Sequence, residues 1–274
     1  MLYLVGTPIG NLGDMSPRAK EILESADIIA CEDTRRTGLL LSEFGISGQL
    51  VSYHEHNKAS KGNILLEELK SGKIIAQVSD AGMPSVSDPG EDLVKLCIEN
   101  NIPVSVIPGP VAGITALVMS GLDTRRYHFE GFLPSETKPR KERLSALQNY
   151  EETIIIYEAP HRLMKLIAEL NEYGFGDSRA AFCREMTKKY EEVIRLTVSE
   201  ALAYFEENPP KGEFVVCVAP RIVEKKEYSQ SETDELIYKF NKEGLSKKDI
   251  SKKVSAITGK NKKEIYDYIV NLIE

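Results

Sequence analysis

The sequence predicts a two-domain α/β protein with a small helical domain at its C-terminus. Three observations carry this. Short apolar runs alternate with amphipathic stretches from the first residue onward, the pattern of strands crossed over by helices. The alternation breaks near residues 119–123 and then resumes as a second unit. A charged linker at 224–231 is followed by three short amphipathic segments with no strand between them. The expected divisions are 1–120, 121–223 and 231–274.

In the first unit, strands are expected at 2–5, 28–31, 50–51, 74–78 and 104–107. Each is brief and apolar, as in a mostly parallel sheet covered on both faces. Ser16-Pro17 reads as a helix N-cap with proline at the first helical position. Ile64, Leu65, Leu66 and Leu69 form a helical stripe that stops at Ser71-Gly72, and Leu93, Val94, Cys97 and Ile98 form another before Asn100-Asn101. In the second unit, strands are expected at 127–130, 153–157, 180–183, 193–197 and 214–218. The polar, basic run 134–143 is expected to begin as an exposed loop. In the tail, Ser246 and Asp249 resemble a capping box, Gly259 suits a helix C′ position, and Ile250, Val254 and Ile257 share one face. Ile265, Tyr268, Ile269 and Leu272 share the face of the last helix. Such a helical pair suits a nucleic-acid-binding helix-turn-helix or a plain helical hairpin.

Composition bounds the function. Of 274 residues, 42% are hydrophobic and 28% charged, so a packed core is expected. The formal net charge of −7 argues against indiscriminate nucleic-acid binding. The charge is uneven, however: residues 236–274 hold nine Lys against five Asp or Glu. The four cysteines, Cys31, Cys97, Cys183 and Cys217, are widely spaced in apolar runs, with no metal-ligand spacing. They fit a reducing compartment. No stretch is apolar enough to span a bilayer, so a cytoplasmic protein without a membrane partner is expected.

The chemistry is expected at the carboxyl ends of the strands. The first strand is followed by Gly6, Gly10 and Gly13, spaced G-x-x-x-G-x-x-G. The fourth is followed by the twelve residues 79–90, which hold two Gly, two Pro, two Asp and three Ser, longer than a plain connector of about 2–6 residues. The fifth is followed by Pro108-Gly109-Pro110-Val111-Ala112-Gly113. Charged clusters sit at neighbouring ends: Glu32-Asp33-Thr34-Arg35-Arg36, His54-Glu55-His56, Glu158-Ala159-Pro160-His161-Arg162 and Arg184-Glu185-Met186-Thr187-Lys188. A single such residue is more often a surface ion pair than a site. The whole set, converging from two units, points to a shared ligand cleft.

The runs VGTPIGNLGD, CEDTRRT, HEHN, SDAGMPSVSDPG, PGPVAGITAL, YEAPHR, REMTKKYEE and GEFVV occur in that order over nearly the full chain. They resemble the tetrapyrrole-methylase superfamily, and within it the family of ribosomal RNA small subunit methyltransferases I. The resemblance implies the tetrapyrrole-methylase fold and a homodimer. It implies S-adenosyl-L-methionine as cofactor, and 2′-O-methylation of a cytidine ribose in small-subunit (16S) ribosomal RNA, free or in the assembled subunit. Carried onto this sequence, Ile9 lies near the adenosyl group, and Ala81, Gly82, Met83 and Val86 wrap methionine and ribose through backbone groups. Val111 and Ala112 border the adenine, and Glu158 and Met186 close the site from the second unit. Distant tetrapyrrole methylases carry an acid where this chain has Met83, which tells against a small-molecule acceptor.

Methyl transfer to a hydroxyl needs a proton acceptor beside it. Candidates are Asp33, His54, Glu158, His161 and Lys188, which the sequence does not rank. Arg35, Arg36, Arg162 and Arg184 suit phosphates, as do Lys138, Arg140, Lys141, Arg143 and the basic tail. Three other readings compete. A methylase of a small tetrapyrrole-like molecule shares the loops but not CEDTRRT and YEAPHR. A dinucleotide-dependent oxidoreductase would use Glu32 or Asp33 on a ribose, but the glycine spacing is wrong for it. A non-enzymatic RNA-binding protein with a relic cleft would not need the loops intact.

Overall fold

The computed structural model describes residues 1–88, 90–222 and 228–272. Residues 1–222 form one compact unit and 223–274 a second. Half of the linker expected at 224–231, residues 224–227, lies outside the described residues.

The first sheet contains β1 (Leu2–Val5), β2 (Ile28–Cys31), β3 (Leu50–Ser52), β4 (Ile75–Gln77) and β5 (Val104–Ile107), in the order β3-β2-β4-β1-β5. Every pairing is parallel. The helices between the strands make this possible, because a parallel pair needs a crossover. On one face pack α1 (Pro17–Ser25) and α2 (Thr34–Glu43), through Ala19, Leu23 and Leu41. On the other pack α3 (Lys58–Lys70) and α4 (Glu91–Glu99), through Leu65, Leu69, Leu93 and Cys97. Ser16 caps α1 as its sequence predicts, its Oγ accepting the Ala19 N–H at 3.1 Å.

The helix α5 (Ala112–Ser120) starts from the end of β5 but does not return to the first sheet. Its Ala116 and Leu117 pack on the second sheet, against Ile155, Ala181, Cys183, Val215 and Cys217. That sheet contains β6 (Tyr127–Phe132), β7 (Thr153–Glu158), β8 (Arg179–Arg184), β9 (Glu192–Thr197) and β10 (Phe214–Val218), in the order β6-β7-β10-β8-β9. The parallel bias of the first unit ends here. Only β6 and β7 pair in parallel, and β7–β10, β10–β8 and β8–β9 are antiparallel. The physical reason is connection length. β8 and β9 are joined by residues 185–191 with no helix to carry the chain back. The opposite face is covered by α6 (Thr137–Leu147), α7 (Pro160–Leu170) and α8 (Val198–Glu207), through Leu144, Leu147, Leu163, Leu166, Leu170, Val198, Ala201 and Phe205.

The run 134–143 begins in a loop, as expected, and passes into helix at Thr137, where α6 starts. Its polar residues concealed two inward apolar positions further on, Leu144 and Leu147, both buried. They anchor the helix against the core.

The second compact unit contains α9 (Gln230–Lys242), α10 (Lys247–Thr258) and α11 (Lys262–Leu272), gathered round Ile237, Ile250, Val254, Ile265 and Ile269. Ser229 and Glu232 form a reciprocal capping box on α9. Ser246 Oγ accepts the Asp249 N–H, and Gly259 closes α10 at φ +70°, as the sequence predicts. Ile257 departs from the expected apolar face, being 42% exposed. It follows Val254 by three positions and falls past the edge of the stripe.

Candidate active site

Three loops meet at the carboxyl edge of the first sheet because glycine lets their backbones touch. A Cβ on Gly6 would lie 2.6 Å from the Gly109 Cα, and one on Gly109 would lie 2.8 Å from the Gly6 Cα. Any side chain at either position would separate the first loop from the fifth-strand loop. The first loop is also tied to the fourth-strand loop by a two-way bridge. Thr7 N–H donates to the Gly82 carbonyl at 2.9 Å, and Gly82 N–H donates back to the Thr7 carbonyl at 3.1 Å. Gly82 sits at φ +84°, a left-handed conformation that glycine adopts without strain.

The second sheet supplies the facing wall. Antiparallel pairing places Phe214, at the start of β10, opposite both Glu158 at the end of β7 and Arg184 at the end of β8. One edge therefore carries all three. Loop 185–191 reaches the first loop directly: Asn11 N–H donates to Thr187 Oγ1 at 3.0 Å. Between the walls lies a cleft of about 480 Å³, within the range of about 300–1,000 Å³ for small-ligand sites. Its lining includes Ile9, Ala81, Gly82, Met83, Val86, Val111, Ala112, Glu158 and Met186, so all nine residues expected around a cofactor are brought together. It also includes Glu32, from the charged cluster expected at this edge, and Asp88, Phe132 and Tyr157, which sequence reasoning had not singled out as ligand-facing groups. For Tyr157, a signal was present in its place just before Glu158 at the end of an apolar strand. Its hydroxyl oxygen accepts the Gly113 N–H at 2.8 Å, and burial pushes the phenol above its ordinary pKa.

The expected proton acceptors fare differently. Glu158 is 2% exposed, and its carboxylate is fully engaged. One oxygen accepts from Arg140 at 3.3 Å, and the other from Arg162 at 3.2 Å and from the Ala159 N–H at 3.1 Å. Two guanidinium groups and a backbone N–H occupy both of its oxygens, which makes it a wall anchor. Lys188 lines the cleft, but its ammonium pairs with Glu213 at 2.7 Å and Glu185 at 3.1 Å. Burial pushes its pKa down, yet the two carboxylates outweigh burial and leave it above the ordinary lysine value. It is a cation here, not a base. Asp33 caps α2 and chelates Arg35, whose hydrogen bonds hold its carboxyl well below the usual range. His54, Asp33 and His161 are absent from the cleft lining. The His54 Nε2 instead faces the Asn57 amide at 3.3 Å, and His161 is exposed in the first turn of α7.

The expected phosphate-binding residues also divide. Arg140 is 1% exposed, bound to Glu158, Glu169 and the Pro134 carbonyl, and cannot reach a phosphate. The helix that follows the loop turns it inward. Arg143 is chelated by Glu130. Arg162 donates to the Leu133 carbonyl, and Arg184 to the Lys211 carbonyl and Glu192. Arg35, Arg36 and Lys141 remain at the surface, and Arg36 borders the cleft while pairing with Asp80 at 3.0 Å. Among the described residues, no group of three His, Cys, Asp or Glu could hold a metal ion, and no helix is long and apolar enough to cross a membrane.

Two unlike sheets joined by one helix, with a ligand cleft between their edges, define the class. The family model for Tetrapyrrole (Corrin/Porphyrin) Methylases matches residues 1–202. The fold is shared with uroporphyrin-III C-methyltransferase from Thermus thermophilus, solved in complex with S-adenyl homocysteine. That likeness has a TM-score of 0.55 and 17% identity, covering 79% of this chain and 96% of the other. Much nearer in sequence are proteins named ribosomal RNA small subunit methyltransferase I. The one from Synechocystis sp. is 44% identical over 273 residues, 99% of this chain and 98% of its own. The one from Bacillus subtilis is 44% identical over 272 residues, 97% and 93%. The chain belongs to this methyltransferase family, a branch of the tetrapyrrole methylases.

Because the Arg140 guanidinium is buried against two carboxylates, Arg140→Gln should destabilise the protein by about 3 kcal/mol, the cost of uncovering a buried charge. Denaturant unfolding of the variant measures this, and an unchanged midpoint would show the network to be unimportant for stability.

Proposed function

We propose that this chain transfers a methyl group from S-adenosyl-L-methionine to the 2′-hydroxyl of a cytidine ribose in small-subunit ribosomal RNA. The observation that carries the reading is the cleft. Backbone from two glycine-bearing loops and the apolar side chains of Ile9, Val86 and Met186 converge on a space large enough for a bent nucleoside. The family of the chain supports the donor and the ribosomal substrate. The donor supplies an electrophilic methyl on a sulfonium.

The chain's part is to position and to shield. Ala81, Gly82 and Met83 would hold the donor's amino-acid and ribose portions, and Val111 and Ala112 would flank its base at the start of α5. Phe132 and Tyr157 stand edge to face, with ring centroids 5.4 Å apart, and would exclude water where the acceptor enters. Alignment of acceptor oxygen and methyl carbon is worth up to about 7–11 kcal/mol of barrier. Arg36 at the rim and the Lys188 ammonium offer cations to an RNA backbone. A ribosomal substrate would place the protein in the cytoplasm, which the four buried free cysteines suit.

The dimer is part of the same proposal. β5 and β6 are both edge strands, and they and α5 carry exposed apolar groups: Val106, Phe132, Ile114 and Val118, the last 72% exposed. An apolar edge of this kind is commonly covered by a partner. The lysines on α10 and α11 of the second unit would add affinity for RNA phosphates.

Three measurements test these readings. Ribose-methylation mapping of small-subunit RNA should show one cytidine methylated in cells with the gene and unmethylated without it; an identical map in both would end the proposal. Val118→Asp should shift the particle from dimer to monomer mass in light scattering, and an unmoved mass would locate the interface elsewhere. Truncation before residue 231 should weaken binding to small subunits and flatten its dependence on salt; unchanged affinity would remove the tail from the interface.

A further inference from the structure

Loop 185–191, between β8 and β9, divides its side chains between the cleft and solvent. Met186 and Lys188 line the cleft, whereas Lys189 and Tyr190 are exposed, Tyr190 to 65%. The loop consists of two successive turns. Lys188 N–H donates to the Glu185 carbonyl at 3.0 Å, and Glu191 N–H donates to the Lys188 carbonyl at 3.1 Å. Lys189 and Tyr190 are the central pair of the second turn and form its tip. The loop's shape is held from within. Thr187 N–H donates to the Glu191 carboxylate at 2.6 Å, and Glu213 N–H donates to the Glu185 carboxylate at 2.9 Å.

The acids around this tip are spent on that framework. Glu185 holds Lys188, Glu191 holds the Thr187 N–H, and Glu192 pairs with Arg184 at 3.3 Å. Lys189 is different: among the described residues no ion pair joins it to a carboxylate, and its ammonium lies 5.6 Å from the Tyr190 ring centroid. Tyr190 in turn belongs to none of the apolar clusters that build the two sheets. A single exposed apolar residue is ordinary. An aromatic face and an uncommitted cation side by side, on a turn whose preceding residues line a ligand cleft, are not. The tip joins the two strands farthest from β6 in the second sheet, so it lies apart from the β6 edge assigned above to the dimer.

We propose that Tyr190 is a stacking platform for the nucleobase that flanks the target nucleotide, with Lys189 on the neighbouring phosphate. A nucleotide in a folded RNA reaches an enclosed site only by leaving its stack, which strips the adjacent base of a neighbour. An aromatic ring at the mouth of the cleft replaces that neighbour, and it does so for any base, because every base has a π-face. The ammonium beside it meets the backbone charge that accompanies each base. Flat rings alternating with anionic phosphates are the chemistry of a nucleic-acid strand, and the tip is complementary to both. A turn whose shape is held before the RNA arrives loses little freedom on binding. Tyr190 touches no reacting atom in this scheme; it is a positioning residue that holds the strand while the ribose enters.

The inference rests on the proposed methylation of ribosomal RNA, and two readouts separate their failures. The chain has no tryptophan, so Tyr190→Trp places a single indole at the tip. Protein-free small-subunit ribosomal RNA should quench its fluorescence by stacking, and polyphosphate, an anion without bases, should not. In the second readout, single-turnover methylation of unmodified small ribosomal subunits is followed with saturating labelled S-adenosylmethionine over a range of subunit concentrations. Tyr190→Ala should raise the half-saturating subunit concentration by about 5–150-fold, the loss of one base–aromatic stack, while S-adenosylhomocysteine binding, measured by calorimetry, stays as in wild type. Tyr190→Phe keeps the ring and should recover most of that loss. An indole that RNA leaves unquenched, or that polyphosphate quenches equally, overturns the platform. So does a Tyr190→Ala enzyme with wild-type saturation, a Tyr190→Phe enzyme as impaired as Tyr190→Ala, or a Tyr190→Ala enzyme that no longer binds S-adenosylhomocysteine. If wild type methylates no subunit while RNA still quenches the indole, the ribose-methylation reading fails and the platform stands; without quenching, both fall.

Discussion

The position of α5 decides most of what this protein can do. The helix follows the last strand of one sheet and packs on the face of the other, and the second sheet caps it at both ends. The Tyr157 hydroxyl takes the Gly113 N–H, one of the donors that a helix N-terminus leaves without a partner. At the far end the Arg195 guanidinium donates to the carbonyls of Ser120, at 3.1 Å, and Met119, where a cation also meets the negative end of the helix dipole. Small residues make the fit possible. A Cβ on Gly113 would lie 3.2 Å from the Tyr157 oxygen and from the Phe129 ring. One short helix thus fixes the edge of one sheet against the edge of the other, and the cleft is the space left between them.

A cleft of this origin is stiff on one side and adjustable on the other. The β7 wall is held by the buried Arg140–Glu158–Arg162 network, whose charges cost too much to separate for the wall to move freely. The contact that closes over the first loop is lighter: one exposed hydrogen bond from Asn11 to Thr187. Thr187 and Glu185 both sit at positive φ, a conformation that ordinary residues hold only when their surroundings require it. A rigid floor with a lightly latched rim suits a site that must exchange one small molecule and admit part of a much larger one.

Some charged residues expected to meet RNA or move protons turned out to hold the framework. Arg140, Arg143, Arg162 and Arg184 each spend their guanidinium on carboxylates or carbonyls within the same unit. Arg35 and Arg36 pair with Asp33 and Asp80 as well but stay exposed, and sequence pattern could not separate the two sets, because a guanidinium fork satisfies a carboxylate as readily as a phosphate. Which of them it meets depends on which way the helix carrying it is turned. For α6 that was set by Leu144 and Leu147, which lie beyond the polar run.

The strands, the helix caps at Ser16, Ser246 and Gly259, and the loops around Gly6, Gly82 and Gly109 were legible in the sequence because each depends on local chemistry. Hydrophobic period, capping oxygens and the conformations open to glycine act within a few residues. The resemblance of the loop motifs to the methyltransferases of ribosomal RNA gave the nine cofactor positions, which the cleft lining brings together. Tertiary structure alone decided the antiparallel order of the second sheet, the crossing of α5 and the burial of Arg140. These turn on contacts between residues tens to hundreds of positions apart, and a charge's role is set by the partner it meets in space.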